Sequence, residues 1–362
     1  MPKSCWPDFS PGRGAPANDL SRRFNQAERV ADADWLDQRT LLDEVAPPKT
    51  SVTLEKPKTI IARNVSPDLP FDRSINPYRG CEHGCVYCYA RPTHAWLDLS
   101  PGLDFESRLF AKPNAAALLR AELSKKNYRV ATIAFGTNTD PYQPIEGRFG
   151  LTRACLQILA EANHPLTITT KSDRVLRDLD ILSAMASRGL VAVAISITSL
   201  ESRTHRSLEP RAPRPEKRLA ALRALANAGI PTHISIAPII PAITDHEIEA
   251  LVAAGAKAGA RSASYIPIRL PHEVAPLFRD WLAIHYPERA EKVMAQIQQM
   301  RGGRDNDPDY FNRIRGSGPL ADLIRVRFQK ACRMAGLNID RTILRSDLFK
   351  APCGNQLDLF GR

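Results

Sequence analysis
Two strand-like runs and the helical pattern between them decide the fold: Pro165-Leu-Thr-Ile-Thr-Thr170, then Arg174–Arg188, then Leu190-Val-Ala-Val-Ala-Ile-Ser-Ile-Thr198. Both runs are short, continuous and rich in β-branched residues, as strands buried on both faces are. A crossover of this length between them predicts a parallel βα unit. Working outward, the alternation repeats. Arg129–Gly136, Thr232–Pro238 and Ser262–Ile268 read as strands, and Arg153–Ala162, Pro215–Ala228 and Asp245–Ala258 as helices. The helix from Pro215 has proline in its first turn and stops before Gly229, the usual asymmetry of helix ends. A strand near Asp72–Arg79 and a helix near Asn114–Ser124 bring the total to about six βα units. That is too few for an eightfold barrel and suits an α/β partial barrel. After Pro271 the strand signal ends. Val274–His285, Pro287–Met300 and Pro319–Ala335 read as helices, the last with Leu320, Leu323/Ile324, Phe328 and Ala331/Cys332 on one stripe.

This pattern divides the chain into an extension (1–58), the barrel (59–270), a helical region (271–349) and a tail (350–362). The extension carries nine basic and nine acidic side chains, so the net charge of +11 lies beyond it. Residues 201–223 hold seven Lys/Arg against three Glu, and residues 301–345 hold ten against five Asp. Such runs are solvated faces in most proteins; here they are also compatible with a polyanionic partner. The composition, 43% hydrophobic, excludes a largely disordered chain. No apolar run reaches the ~20 residues of a membrane span, and Met1–Ser10 lacks the apolar core of a secretory signal. A cytoplasmic location is expected. There an odd count of seven cysteines argues against a disulfide framework.

Three of those cysteines crowd into one motif, Asn76-Pro-Tyr-Arg-Gly-Cys81-Glu-His-Gly-Cys85-Val-Tyr-Cys88-Tyr89. Three thiolates spaced C-x3-C-x2-C on one tight loop can hold three irons of a cubane cluster and leave the fourth open. Gly80 and Gly84 let the loop turn. It follows the first strand, at the end where barrel active sites form. A zinc site completed by His83 or His94 is a second reading, although no second cysteine pair is present. Packing of three cysteines as small hydrophobes is a third, against which Arg79, Glu82 and His83 argue.

C-x3-C-x2-C with an aromatic before the third cysteine, on a six-unit partial barrel, resembles the radical SAM superfamily over roughly residues 60–270. Within it the chain is most similar to the spore photoproduct lyase-like, or DNA repair photolyase-like, group. More narrowly, it resembles an uncharacterised bacterial subgroup with NPYRGCEHGCVYCYARPTH, GTNTDPYQPIE and LEPRAP, which stand here at 76–94, 136–146 and 208–213. The resemblance implies a radical SAM barrel in which Cys81, Cys85 and Cys88 ligate a 4Fe-4S cluster. S-adenosylmethionine would bind the open iron, and reductive cleavage would yield a 5′-deoxyadenosyl radical that abstracts hydrogen from a substrate. A flavodoxin or ferredoxin would supply the electron. The resemblance places Tyr87 against the adenine, and Thr137, Asn138, Thr139 and Asp140 near the methionyl amino group. It places Lys171 and Ser196 near the carboxylate and ribose, with Arg211 as a further carboxylate partner. Spore photoproduct lyases carry a hydrogen-donating cysteine at the end of the second strand; Gly136–Asp140 has none. The donor is absent, or Tyr142 or Tyr265 replaces it, or the reaction differs. Cys353 is a remote candidate.

The tail reads Gln356-Leu-Asp-Leu-Phe360, similar to the short motif by which bacterial repair proteins dock on the DNA sliding clamp. Leu and Phe anchors on an extended tail suit an apolar pocket; folding back on the parent domain is the other reading. With the clamp as partner, DNA becomes the expected substrate and the basic stretches acquire phosphates to contact. Three functions remain in view: a radical SAM enzyme on a nucleic-acid base, one on a peptide or small metabolite, and a zinc-stabilised, non-catalytic nucleic-acid-binding protein.

Overall fold
The computed structural model describes residues 12–19, 21, 23–24 and 49–352. Cys353 and the Gln356–Phe360 motif lie outside them. Six parallel strands form one sheet: β1 (Arg73–Ile75), β2 (Ile133–Phe135), β3 (Leu166–Thr170), β4 (Val191–Ser196), β5 (Thr232–Ile239) and β6 (Ser262–Pro267). They follow in sequence order across the sheet, and Ile61–Arg63 adds an antiparallel strand beside β1. That strand and β6 are the two edges, so the barrel is open, a partial six-fold (β/α) barrel. Helices α1 (Ala115–Leu123), α2 (Leu151–Glu161), α3 (Leu179–Ala186), α4 (Pro215–Asn227) and α5 (Ile248–Lys257) fill the crossovers.

Alternation along the strands sets the two faces. Ile168, Val193, Ile195, Ile234 and Ile236 join the core beneath the helices. Their neighbours Thr167, Thr169, Ala194, Ser196, His233 and Ser235 therefore face the barrel interior. Most are only half-buried, and Thr169 is exposed. Small side chains leave the lumen roomy, whereas a closed barrel fills it with bulky branched residues.

Several elements differ from the sequence pattern. The run at Asp72–Arg79 splits: Arg73–Ile75 enters the barrel, and Tyr78–Arg79 pairs with Arg108–Ala111 in a second sheet that also holds Ser51–Leu54. The pattern over Arg174–Arg188 resolves into a 3-10 turn (Asp173–Asp178) and α3, because the buried Asp178 carboxylate takes bonds from Tyr142, Arg153 and Arg177 at that joint. Beyond β6, Val274–His285 and Ala290–Gln299 pack over the cysteine loop in a second core with Cys85, Val86, Tyr87 and Trp281. The last helix, α6 (Gly318–Met334), returns to the barrel wall: Ile324, Phe328 and Ala331 join the main core. From Asn338 the chain crosses the floor of the barrel, donating from Asn338 N to Arg261 O, Arg345 N to Gly189 O and Lys350 N to Ala162 O. No helix among the described residues is long and apolar enough to cross a membrane.

Candidate functional site
The loop after β1 turns twice through the left-handed region, at Gly80 (φ 74°) and Gly84 (φ 68°), and presents Cys81, Cys85 and Cys88 at the C-terminal end of the strands. Cys81 and Cys85 are buried and Cys88 is half-buried. Burial pushes the free Cys85 thiol up to about 12, although Lys171 pulls it back. Metal binding at this loop therefore has to release protons. A closed tetrahedral zinc site takes four protein ligands, whereas a cubane can be held by three thiolates with one iron left open, the cysteine set this loop offers. His94 Nε2 lies 3.0 Å from Arg108 O, and its buried Nδ1 has no hydrogen-bond partner among the described residues. His83 faces Asp140, Nδ1 3.4 Å from Oδ2.

Three framework side chains hold this loop. Arg91, fully buried, donates to Cys85 O (2.9 Å), Gly84 O (3.2 Å), Pro101 O (3.0 Å), Gly102 O (2.9 Å) and Glu106 Oε1 (2.5 Å). Gln143 accepts from Glu82 N (3.0 Å) and donates to Gly80 O (3.1 Å). Asn76 accepts from Asn138 N (3.1 Å) and Thr139 N (3.4 Å), pinning the loop after β2 to the loop after β1. Behind them Glu146 accepts from Tyr78 OH and Arg177.

The residues expected at a nucleotide cofactor converge on this end of the barrel, with different tasks. Tyr87 is buried, its hydroxyl donating to Glu209 and standing 3.1 Å from Thr198 Oγ1. Glu209 also accepts from Arg218, which donates to Ser196 O at 2.9 Å. Burial alone would raise the Glu209 carboxyl, but Arg218, His205 and Lys171 hold it well below the usual range. Lys171 Nζ sits 5.8 Å from the Tyr87 ring centroid. Lys171 and Asn138 show no side-chain hydrogen bond among the described residues, so both can meet a ligand. Thr137 and Thr139 spend their hydroxyls on Asn76 and Tyr78 O. Asp140 is consumed as a brace, accepting from Tyr142 N, Thr170 Oγ1 and Lys171 N. Burial opposes its charge, yet His83 and these donors bring it down to about 2. Ser196 Oγ points to Ala237 O at 3.3 Å. Arg211 is tied to Glu82 at 3.1 Å.

Neither tyrosine considered as a donor reaches this site. Tyr142 is fully buried in the wall, its hydroxyl donating to Asp178 at 3.1 Å. Tyr265 leans outward on Phe328, with ring centroids 4.7 Å apart. Strand alternation explains the second: Ala263 and Tyr265 share the outer face of β6. The roles of Asn76, Arg91, Gln143, Glu146 and Glu209 were not assigned from sequence, although each stands inside one of the three motifs. Glu106 and Arg218 carry no local signal.

Residues 75–254 match the Radical SAM superfamily. An uncharacterized protein of Mycobacterium tuberculosis is 39% identical over 249 residues, 68% of this chain and 72% of the relative. One of Methanocaldococcus jannaschii is 35% identical over 173 residues, 48% of this chain and 62% of the other. Among solved structures, spore photoproduct lyase complexed with dinucleoside spore photoproduct superposes with a TM-score of 0.56 at 17% identity, covering 79% of this chain and 80% of that one. A mutant of that lyase with bound AdoMet and the dinucleoside superposes at 0.55 with the same coverage and identity. At this identity the likeness is one of fold. With the family match and the cysteine loop at the mouth of an open six-stranded barrel, the chain belongs to the radical SAM superfamily, whose enzymes use a 4Fe-4S cluster and S-adenosylmethionine.

Proposed function
We propose that this radical SAM enzyme abstracts hydrogen from a nucleic-acid base, at a lesion or a modification site. The observation that carries the chemistry is the cysteine loop, three thiols on one turn rigidly framed at the barrel mouth. Cys81, Cys85 and Cys88 would hold three irons. When bound, the cluster and S-adenosylmethionine supply a 5′-deoxyadenosyl radical. Lys171 would meet the cofactor's carboxylate, Asn138 and the Thr137–Asp140 loop its amino group, and Tyr87, locked by Glu209, its adenine. Ser196 and Arg211 would complete the set as partners already held by the protein. The half-buried lumen would receive the substrate atom.

The charge of +11 and a fold shared with an enzyme complexed with a dinucleoside lesion support a nucleic acid. No cysteine stands in Gly136–Asp140 and both tyrosines turn away, which favours a reaction other than thymine-lesion reversal. A cytoplasmic flavodoxin or ferredoxin would deliver the electron. The tail at Gln356–Phe360 would dock on the sliding clamp. Pro352, the last described residue, accepts from Ser124 at 2.7 Å on the floor of the barrel. A partner held there leaves the mouth free.

Anaerobic reconstitution tests the chemistry: ~4 Fe per chain and dithionite-driven formation of 5′-deoxyadenosine are expected, and stoichiometric zinc without cleavage refutes it. DNA and RNA from cells grown in deuterated medium, intact and irradiated, test the substrate class. Deuterium in 5′-deoxyadenosine supports a nucleic acid. Transfer only from a deuterated peptide or metabolite fraction overturns it.

A further inference from the structure
Residues 302–316 leave the barrel as a loop whose ends meet: Ser317 N donates to Met300 O at 3.0 Å. Compact loops of this kind, closed at the base, are frequently functional. Arg301, buried beneath it, donates to Asn312 O (2.7 Å) and Arg313 O (3.0 Å) on one side, and to Pro267 O and Ile268 O (both 2.8 Å) at the end of β6 on the other. Arg313 makes a two-pronged pair with Asp68 at 2.6 Å, and Phe311 N donates to the same carboxylate at 3.3 Å. The tip is thus fixed to the barrel wall at two points.

What the clamp presents is two aromatic side chains in water. Tyr310 is 51% exposed and Phe311 49%. Phe311 sits at φ 68°, ψ −48°, a conformation that bulky residues rarely adopt. Burial of the ring does not explain it, because the ring is half in solvent. Such outliers persist where the surroundings impose them, and they cluster at ligand sites.

Guanidinium–ring pairs stand both on this loop and beside the cysteines. Tyr89, next to Cys88 and 44% exposed, lies under Arg269 with the guanidinium 4.5 Å from its ring centroid. Arg269 directly follows Ile268, whose carbonyl accepts from Arg301 beneath the loop. On the loop itself Arg313 lies 5.0 Å from the Tyr310 ring centroid. Two rings thus carry a guanidinium each, one pair beside the cluster loop and one at the surface, and Arg304 and Arg315 are also exposed on the loop. The loop's carboxylates are partly engaged: Asp305 pairs with Arg279 at 2.8 Å, and Asp307 accepts from Asp309 N. Rigid exposed aromatics interleaved with arginines suit unpaired bases stacking on rings while the backbone meets cations. An acidic peptide would need the cations and leave the rings without a task.

Resting on the nucleic-acid reading above, we propose that Tyr310 and Phe311 form a stacking platform that seats an unpaired stretch of nucleic acid, with the Arg313–Tyr310 and Arg269–Tyr89 pairs marking the path of a flipped-out base toward the barrel mouth.

The test is fluorescence anisotropy of a fluorescein-labelled single-stranded oligonucleotide, with the full chain reconstituted anaerobically. Phe311→Gly relieves the backbone and removes the ring, so the melting temperature should hold or rise while affinity falls about tenfold or more. Tyr310→Ala should act likewise, and Tyr310→Phe and Phe311→Tyr should keep near-native affinity. Wild-type binding with Phe311→Gly and Tyr310→Ala unchanged overturns the platform and leaves the nucleic-acid reading standing. No wild-type binding to DNA or RNA overturns both. Tighter binding of polyglutamate than of the oligonucleotide assigns the patch to an acidic peptide and overturns the proposal.

Discussion

Replacing Arg91 by lysine keeps the charge and removes the planar fork, so it isolates what the framework beneath the cysteine loop requires. Arg91 is wholly buried and makes five hydrogen bonds, four of them to backbone carbonyls on two sides of the loop. An ammonium has three donors on one nitrogen and cannot span both sides. At least two charge-assisted bonds are lost, each worth about 1.5–3 kcal/mol. The expected destabilisation is about 3–6 kcal/mol, a large share of the ~5–15 kcal/mol of an ordinary domain. Arg91→Met removes all five bonds and leaves the Glu106 carboxylate, among the described residues, with Gly14 N and Ala15 N as donors, at a cost of at least the ~3–5 kcal/mol of a broken buried pair. Urea unfolding of the apoprotein gives the free energies, and iron per chain after reconstitution reports on the loop. If Arg91→Lys unfolds within about 1 kcal/mol of wild type and takes up the same iron, the framework argument is wrong.

Tyr142→Phe should lose about 1 kcal/mol in urea unfolding and keep full 5′-deoxyadenosine production; loss of product formation by a normally folded variant would restore it as a catalytic residue. Gly136→Ala should cost about 3 kcal/mol or more, because φ is 81° and the added carbon would stand 2.0 Å from Thr169 O; soluble yield and urea midpoint read this out, and a native-like midpoint contradicts it. His94 and His164 are held neutral by burial, with pKa values lowered to about 4, against ~6.5 when unfolded. The unfolded chain binds more protons between those values, so stability should fall as pH drops from ~6.5 toward ~4, by up to about 1.4 kcal/mol per pH unit for each histidine. At His164, whose Nδ1 lies 2.9 Å from Pro165 O and Nε2 2.7 Å from Tyr128 OH, burial outweighs the Pro165 carbonyl, which favours the proton. Urea midpoints at pH 7, 6 and 5 that do not decline would count against this account.

Local periodicity carried the parallel strands well, since their core-facing β-branched residues recur at every second position, as Val191, Val193 and Ile195 do. It failed at Asp72–Arg79, where one extended run serves two sheets. No local signal separates a residue that pairs with Ile133 from one that pairs with Phe110. The cysteine loop was legible because ligand spacing is a local property. The cofactor residues were legible as a neighbourhood and not as roles. Asp140, Thr139 and Arg211 have polar atoms engaged by Lys171 N, Tyr78 O and Glu82, whereas the side chains of Lys171 and Asn138 show no hydrogen bond among the described residues.

By itself, then, the sequence determined the parallel βα order, the three-cysteine loop and the family, all of which reside in spacing along the chain. Tertiary structure alone decided which motif residues brace the loop and which keep side chains without a hydrogen bond among the described residues. It turned Tyr142 and Tyr265 away from the mouth and set Arg313 on Tyr310 and Arg269 on Tyr89. The physical reason is the same in each case. A hydrogen-bond partner far along the chain, such as Asp178 for Tyr142 or Asp68 for Arg313, sets where a side chain points, and that pairing exists only once the barrel has closed around it.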